Sequence, residues 1–201
     1  YQHITGDLTS AVNYAAAAGG ALGPNVEGVS TISGSDSAWG YNLGALFNVN
    51  PQTRVGAAYR SQIKYNLSGT VSFSNVPGAL AASPTLANGA VTLPITMPDS
   101  FSVSGLHQLD DKWDVMADAT WTGWGVLQQL KIDRTTGANV LTVQENWKNT
   151  WRVSVGASYH YNEQWMARMG VAFDQTPVSD AYRTARIPDN DRTWLSVGGQ
   201  H

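Results

Sequence analysis

Cysteine is absent from the 201 residues, and charged side chains make up only 13% of them. The lack of cysteine excludes disulfide bonds and thiolate metal sites. The charged fraction lies well below the roughly 25% that is typical of soluble globular chains. No apolar run approaches the ~20 residues of a membrane-spanning helix. A net charge of −3, with no cluster of Lys or Arg, argues against a nucleic-acid partner.

Small polar residues and aromatics take the place of charge. The chain contains 20 glycines, eight tryptophans and eight tyrosines, together with many Ser, Thr and Asn residues. A composition that is poor in charge and rich in Trp and Tyr suits a wall with lipid on one side and a polar lumen on the other.

Strict alternation between apolar and polar side chains is clearest over residues 54–74. One parity runs from Val55 through Tyr59 to Phe73 and is apolar, while the other parity is polar. Successive side chains of a strand point to opposite faces, so this pattern predicts a two-faced strand. Its length exceeds the ~9–11 residues of a membrane strand. The same alternation predicts six more strands, over residues 39–49, 91–109, 113–122, 151–161, 165–174 and 193–201.

Short and long connections follow one another between these seven strands. The tight turns are residues 50–53, 110–112 and 162–164, and the longer loops are residues 75–90, 134–140 and 175–192. Short turns at one rim and long loops at the other are typical of outer-membrane barrels. The sequence therefore predicts an all-β, antiparallel transmembrane β-barrel.

Aromatic side chains lie near both ends of the predicted strands. Those beside the tight turns would form one interfacial belt, made of Phe47, Trp113, Tyr159, Tyr161 and Trp165. Those toward the other rim would form a second belt, made of Trp39, Trp121, Trp147 and Trp151. The alternative is a β-sandwich in which these residues are ordinary core aromatics.

Residues 1–38 lack this pattern. Asp7 is a candidate N-cap for a helix through Leu8, Val12 and Ala16 that ends at the glycines 19 and 20, and a stretch rich in Gly and Ser follows. We expect residues 1–38 to form an external loop with a short helix, and residues 39–201 to hold the seven strands of a single barrel domain.

A membrane-spanning sheet must close, because lipid offers no partner to an open edge. Bacterial single-chain barrels normally have an even number of strands. Seven strands do not fit this rule, so we expect the remaining strands of the barrel to lie outside the given sequence. The alternative is a smaller barrel built from several copies of the chain.

Several segments resemble the FadL family of long-chain fatty acid transporters. They are AAYRSQIKYNLSGTVSFSN (57–75), TWTGWGVLQQLKI (120–132), NWKNTWRVSVGASYHYNEQW (146–165) and GVAFDQTPVSDAYRTARIPDNDRTWLSVG (170–198). LPITMPDSFSVSG (93–105) and GDL (6–8) match more weakly and in the same order. The resemblance covers nearly the whole chain.

The resemblance implies a fourteen-stranded barrel plugged by an N-terminal hatch. Its ligand rests first in an apolar groove between external loops, passes to an inner site, and leaves sideways into the membrane. On that plan this chain begins in the third external loop and carries strands six to twelve, without the hatch or the lateral opening. A cationic pair of the family's inner site falls at His3 and near Val143, and neither cation is kept. The family also includes carriers of aromatic hydrocarbons.

Two groups of candidate site residues follow. The family's outer groove would correspond to apolar residues of the predicted loops, namely Leu8, Val12, Tyr14, Val76, Leu80 and Leu86, unless these loops simply pack on themselves. The polar parity places charges on the lumen side, namely Arg60, Lys64, Asp114, Asp118, Arg152 and Arg168, with Arg54 and His160 nearby. These charges either steer a ligand or pair with one another across strands.

The function expected from the resemblance is passive uptake of long-chain fatty acids or other hydrophobic molecules across the bacterial outer membrane. The alternatives are a transporter specific for aromatic hydrocarbons and a porin for small polar solutes. No Gly-x-Ser-x-Gly elbow or His-x-x-x-His pair indicates an enzyme. We expect no cofactor, no metal and no nucleic acid. The expected surroundings are outer-membrane lipid and lipopolysaccharide around a monomeric barrel.

Overall fold

The computed structural model describes residues 1–19, 21–22 and 26–201. The strands in this part of the chain are β1 (Gln2–Asn13), β2 (Glu27–Ala38), β3 (Asn42–Asn50), β4 (Thr53–Arg60), β5 (Ile63–Phe73), β6 (Gly89–Met97), β7 (Ser100–Gln108), β8 (Trp113–Thr122), β9 (Gln129–Arg134), β10 (Asn139–Gln144), β11 (Thr150–His160), β12 (Met166–Asp174) and β13 (Arg192–Gln200). The helices are α1 (Tyr14–Ala17) and the short 3₁₀ turns Gly78–Leu80, Pro84–Leu86, Trp124–Val126 and Asp180–Tyr182. None of these helices is long and apolar enough to cross a membrane.

The strands form two sheets, each within its own compact unit. One unit comprises Tyr1–Trp39, Lys64–Ile95 and Gln129–Val143, and its six-stranded sheet has the order β1-β2-β5-β6-β9-β10. The other comprises Gly40–Ile63, Thr96–Gln128 and Gln144–His201, and its seven-stranded sheet has the order β13-β12-β11-β8-β7-β4-β3. The strand pairs for which a register is defined are antiparallel, so the predicted all-β, antiparallel class is confirmed.

The predicted count of seven strands is wrong, because the described residues contain thirteen. Each of the seven predicted strands contributes one strand to the seven-stranded sheet, but two of them divide. Residues 54–74 separate at Ser61 and Gln62 into β4 and β5, and residues 91–109 separate at Pro98 and Asp99 into β6 and β7. Proline has no N–H to donate to a ladder, so Pro98 ends the regular pairing after β6.

The helix predicted after Asp7 is also wrong over most of its length. Residues 2–13 form β1, which pairs residue by residue with β2, and only Tyr14–Ala17 is helical. The cap is Asn13, whose side chain accepts a hydrogen bond from the N–H of Ala16. The predicted end at residue 20 lies outside the described residues. The stretch rich in Gly and Ser, expected to be loop, contains β2.

The seven-stranded sheet has one apolar and one polar face, and the strand register keeps them apart. Asp118 lies opposite Ser104 and Ser154, whereas its neighbour Ala119 lies opposite Val103 and Val153. The face that carries Ala119 and Val153 is called the apolar face below, and the face that carries Asp118 and Ser154 the polar face. The turns after β3, β7 and β11 each join adjacent strands of this sheet, as predicted.

Two rows of aromatic side chains cross the apolar face. Beside the tight turns, the ring centres of Trp113 and Tyr159 lie 4.8 Å apart, and those of Trp165 and His201 lie 4.4 Å apart. The second row follows paired positions on β4, β7, β8 and β11, namely Tyr59, Phe101, Trp121 and Trp151. On β8 and β11 the rows are eight residues apart, about 27 Å along a strand, which suits the roughly 25 Å apolar band of a tilted barrel wall.

Two tryptophans expected in the second belt do not lie on strands of this sheet. Trp147 is in the connection between β10 and β11, where its ring packs edge-on against Trp124 at 5.0 Å. Trp39 belongs to the other unit and contacts Tyr1 at 5.5 Å. Neither ring lies on a strand, so the parity of the strands does not govern their direction.

The six-stranded sheet is held by an apolar cluster. Its buried members are Val71, Val91 and Ile132, and the partly buried residues packed against them are Leu8, Ile32, Phe73, Leu93, Val140 and Leu141. All six strands contribute to this cluster. Next to it, Gly6, Gly34 and Gly69 lie in register on β1, β2 and β5, and the backbones of β2 and β5 come close together at this row.

The assignment of the two faces can be tested with Val155 and Leu46. Val155 lies on the apolar face of β11, midway between Trp151 and Tyr159, and Leu46 lies on the polar face of β3. Val155→Arg should lower the free energy of unfolding of the full-length protein in vesicles by about 2–4 kcal/mol, because it places a cation at mid-membrane depth. Leu46→Arg should cost clearly less. Urea titration of both variants measures this, and the opposite order would contradict the assignment.

The glycine row offers a second test. A methyl group at Gly69 would overlap the carbonyl oxygen of Ser33, while one at Gly6 would lie 3.6 Å from Leu67 Cδ2, an ordinary contact. Gly69→Ala should therefore destabilise the sheet by about 1–3 kcal/mol, as overpacking does. Gly6→Ala is the matched control and should be nearly neutral. Equal denaturation midpoints for the two variants would show that β2 and β5 are not packed this closely.

Candidate functional site

Cavities of about 770 and 330 Å³ open onto the polar face of the seven-stranded sheet. The larger cavity extends over β8, β11, β12 and β13, and the smaller one over β3, β4, β7, β8 and β11. They share Met116, Asp118 and Ser154. This face is therefore a candidate surface for a passing ligand.

Acidic side chains on this face are paired with basic ones on adjacent strands. Asp114 Oδ2 lies 2.8 Å from His160 Nε2, and Asp174 Oδ2 lies 3.0 Å from a guanidinium nitrogen of Arg192. Asp118 accepts a hydrogen bond from the Ser154 hydroxyl. Its other carboxylate oxygen lies 3.7 Å from Arg152. Each of these three aspartates therefore has a basic partner, so the wall presents no unpartnered carboxylate among them.

The remaining predicted lumen charges are placed differently. Arg168 donates to the side-chain oxygen of Gln200 at 2.9 Å, and Arg54 donates to that of Asn48 at 3.2 Å. Arg60 is exposed at the end of β4. Lys64 is exposed on β5, so it belongs to the six-stranded sheet and not to the sheet that carries the other charges. The six predicted lumen charges are therefore divided between the two units.

An apolar strip interrupts the polar face. Leu46, Leu106 and Met116 point to this face, and they are 64%, 38% and 37% exposed. All three line the smaller cavity, and glycines at positions 56, 156 and 170 lie beside them in register. These residues were missed at the sequence level, although each is a visible exception in an otherwise polar parity.

The predicted outer-groove residues lie in the six-stranded unit. Leu8 is a strand residue that packs against the apolar cluster, and Val12 is on the same strand. Tyr14 is completely buried, and its hydroxyl donates to the Ser74 carbonyl oxygen at 2.7 Å. Partly exposed loop or turn positions hold Val76, Leu80 and Leu86. Tyr14 is thus a packing residue.

His3 and Val143, which stand at the family's cationic positions, lie on opposite edge strands of the six-stranded sheet. His3 Nδ1 is 2.8 Å from the Ser37 hydroxyl, and Val143 is partly buried. The sheet order does not bring the two side chains together. No group of three or more His, Asp or Glu side chains in residues 1–19, 21–22 and 26–201 is arranged to hold a metal ion.

Polar groups of this unit are perturbed by local hydrogen bonds. The backbone N–H groups of Asn66 and Ser37, with His3 nearby, lower the pKa of Asp36. Hydrogen bonds from Asn139 and Lys131 lower the pKa of Asp133. Burial, reinforced by the charge of Asp36, raises the pKa of Tyr65, whose hydroxyl has no hydrogen-bond partner in the described part of the chain. Both carboxylates are therefore ionised at neutral pH.

Three connections of the seven-stranded unit lock together, and we call them the loop clasp: residues 123–128, 144–149 and 175–191. The N–H of Gly125 donates to Asn149 Oδ1 at 2.8 Å, and the side chain of Gln128 donates to Trp147 O at 3.2 Å. Glu145 is only 2% exposed and accepts from the Trp147 indole at 3.0 Å. The motifs at 120–132 and 146–165 therefore meet in space.

The third connection joins the loop clasp through Thr176. Its N–H donates to Asp191 Oδ1 at 2.8 Å, and its hydroxyl donates to Asp189 Oδ2 at 2.8 Å. The same hydroxyl accepts from the N–H of Val178, which is 1% exposed, and Lys148 N–H donates to Pro177 O at 3.1 Å. Asp189 and Asp191, which belong to the motif at 170–198, thus hold this connection in place.

Comparisons with known proteins agree with this architecture. The family model described as "Outer membrane protein transport protein (OMPP1/FadL/TodX)" matches residues 1–201. The long-chain fatty acid transport protein of Escherichia coli (strain K12) is 32% identical over 178 residues, which cover 85% of this chain and 40% of that protein. This chain thus spans less than half the length of that relative.

Solved structures give the same result at the level of the fold. The crystal structure of a Pseudomonas aeruginosa FadL homologue matches with a TM-score of 0.85 at 26% identity, covering 98% of this chain and 49% of that one. The Pseudomonas putida toluene transporter TodX matches with a TM-score of 0.59 at 21% identity, covering 95% and 47%. The second likeness concerns the fold alone.

The loop clasp can be tested at Thr176. Thr176→Val keeps the shape but removes the hydroxyl, so it leaves Asp189 and the buried N–H of Val178 short of a partner, at a cost of about 1–3 kcal/mol. Trypsin should then cleave the full-length protein several-fold faster at Arg183 and Arg186. Thr176→Ser keeps the hydroxyl and should be cleaved at nearly the native rate. Identical rates for the two variants would exclude this role.

Proposed function

Because the chain belongs to the outer membrane protein transport family (OMPP1/FadL/TodX), we propose that its protein carries hydrophobic molecules passively across the bacterial outer membrane. No chemical step and no cofactor enter this proposal, and the protein is not an enzyme in it. The seven-stranded sheet would form part of the barrel wall, with its apolar face toward lipid and its polar face toward the lumen.

The observation that carries the proposal is the polar face, where an apolar strip on β3, β7 and β8 adjoins the paired charges of β8, β11, β12 and β13. A pore for polar solutes uses rings of charge or open hydrogen-bonding groups to replace water around the solute. Here Asp114, Asp118 and Asp174 are already partnered by His160, Arg152 and Arg192. Leu46, Leu106 and Met116 supply apolar contact beside these pairs. Such a wall suits a hydrophobic cargo better than an ion or a sugar.

The cargo class follows from His3 and Val143, the two positions at which the family resemblance implies cations. Val143 cannot hold a carboxylate, and His3 can add at most one hydrogen bond or one titratable charge. Burial of an alkyl chain contributes roughly 0.8 kcal/mol of binding free energy per CH₂, and this contribution needs no charged anchor. We therefore propose that the protein takes fatty acids through their chains, and neutral aromatic hydrocarbons equally well.

The edge strands β3 and β13 need partners in a bilayer, since unpaired backbone groups are costly there. We propose that seven further strands of the same protein pair with them. Together with the seven strands of this sheet, they would close a monomeric barrel of fourteen strands. Outer-membrane lipid, including lipopolysaccharide, would surround it.

Uptake in cells tests the function. Cells with the full-length gene should take up labelled oleate and toluene several-fold faster than a deletion strain. Equal uptake would refute the proposal, and large stable single-channel conductance in planar bilayers would instead indicate a porin. Oleate uptake without toluene uptake would contradict the proposed cargo range.

The apolar strip can be tested in the same cells. Leu106→Gln combined with Met116→Gln should slow uptake of both probes several-fold, because a hydrophobic cargo loses its apolar contacts. Leu106→Met combined with Met116→Leu keeps the strip apolar and should transport normally at equal surface levels. If both double variants transport like the wild type, the cargo does not touch this strip.

A further inference from the structure

The apolar face of the seven-stranded sheet carries a groove of about 650 Å³. It extends from the start of β4 over β7, β8, β11, β12 and β13, and its lining is almost entirely apolar. The groove forms because Gly105 and Ala117 lie opposite each other on β7 and β8, where larger side chains would fill the space. Leu195 and Met169 belong to the same lining, on β13 and β12.

The groove lies at hydrocarbon depth. Ala117 and Val155 are paired across β8 and β11, and each is four residues from both aromatic rows on its own strand. Side chains between two aromatic rows face the lipid tails. Acyl chains are therefore the molecules that cover this face, and a groove of this size lies in the range that binds one small ligand.

Polar side chains mark one end of the groove. Thr53 and His107 are paired on β4 and β7, and the Thr53 hydroxyl lies 2.9 Å from His107 Nδ1. His107 is exposed and lies opposite Val115, two residues inward from Trp113 of the belt beside the tight turns. That offset is about 7 Å along the strand. The imidazole can therefore reach the interface with Nε2 while Nδ1 stays bonded to Thr53.

From these observations we infer that the groove is a binding site for one phospholipid molecule. One acyl chain fills the space above Gly105 and Ala117, and the phosphate of the headgroup accepts a hydrogen bond from His107. The tight turns of outer-membrane barrels face the periplasm. This site therefore takes a lipid of the periplasmic leaflet, which is built of phospholipids.

A second copy of the protein is a weaker occupant. Stable protein interfaces bury at least ~1,200 Å² and need complementary surfaces. A groove of about 650 Å³ is small beside an interface of that size, whereas it can take one flexible acyl chain. The polar end, His107 with Thr53, also matches a ligand with one polar head and a long apolar body.

Replacement of Ala117 tests the groove. The full-length protein is purified in detergent, washed, and its bound phospholipid is counted by native mass spectrometry. Ala117→Phe fills the groove and should reduce bound phospholipid at least fivefold. Ala119→Phe, on the same strand and face but outside the groove, is the control and should retain the wild-type amount. Retention by Ala117→Phe equal to that of the control would overturn the proposal.

Replacement of His107 tests the headgroup contact. The wild type should retain phosphatidylethanolamine several-fold better than diacylglycerol of the same chain length. His107→Leu keeps the groove apolar and should remove that preference. An unchanged preference would overturn the assignment of the headgroup. Dimers of the wild type that dissociate with Ala117→Phe would overturn it in favour of a second copy.

Discussion

The backbone hydrogen bonds between the strands are the constraint on which the rest of this molecule depends. Lipid offers no partner to an N–H or C=O group, so a wall that crosses a bilayer must pair strand with strand without interruption. Uninterrupted pairing fixes the register, and the register fixes which side chains share a face. A slip of one residue on β8 would exchange Asp118 with Ala119 and turn a carboxylate toward the lipid. The aromatic rows, the charge pairs, the cavities of the polar face and the groove of the apolar face are consequences of this ladder.

Where the regular strand pairing stops, backbone and side-chain groups of the connecting residues continue the hydrogen bonding. Between β4 and β5, the Ser61 N–H donates to Tyr41 O, and the Ser61 hydroxyl accepts from the Tyr41 N–H, both at 2.9 Å. Beyond Pro98, Asp99 accepts from the Tyr59 hydroxyl and from Gln62, while its own carbonyl accepts from Gly123 N–H. The backbone thus stays satisfied while the chain passes from one sheet to the other.

The local sequence pattern was sufficient to predict the strands and their faces where one face of a strand meets lipid. Over residues 151–174 the alternation and the tight turn predict β11, β12 and their faces, because the two environments differ sharply. In β1 the local signals conflict. Asp7 and the alanines 15–18 favour a helix, whereas Ile4, Thr5 and Thr9 are β-branched and favour a strand. Only pairing with β2, which begins at Glu27, decides the outcome.

The candidate site was partly visible in the sequence for a similar reason. The parity of Asp114 and Arg152 predicts that they share a face, but which charges pair depends on strand order. β8 and β11 are adjacent in the sheet although two strands of the other sheet separate them in sequence, and no local pattern contains that fact. The loop clasp could not be predicted either, because the sequence does not show that Glu145 is buried and accepts a hydrogen bond from the Trp147 indole.

Paired charges and an apolar strip act together in the proposed transport. A passive carrier must release its cargo as well as bind it, and on this face Arg152 is paired with Asp118, whereas Arg54 and Arg168 contact neutral side chains. Each pair satisfies its own members, so a hydrophobic molecule that passes Arg152 and Asp118 does not have to strip a bare charge of water. Leu46, Leu106 and Met116 offer apolar contact over a short length only. Binding on such a strip is favourable enough for entry and weak enough for exit, and this balance allows movement without an energy source.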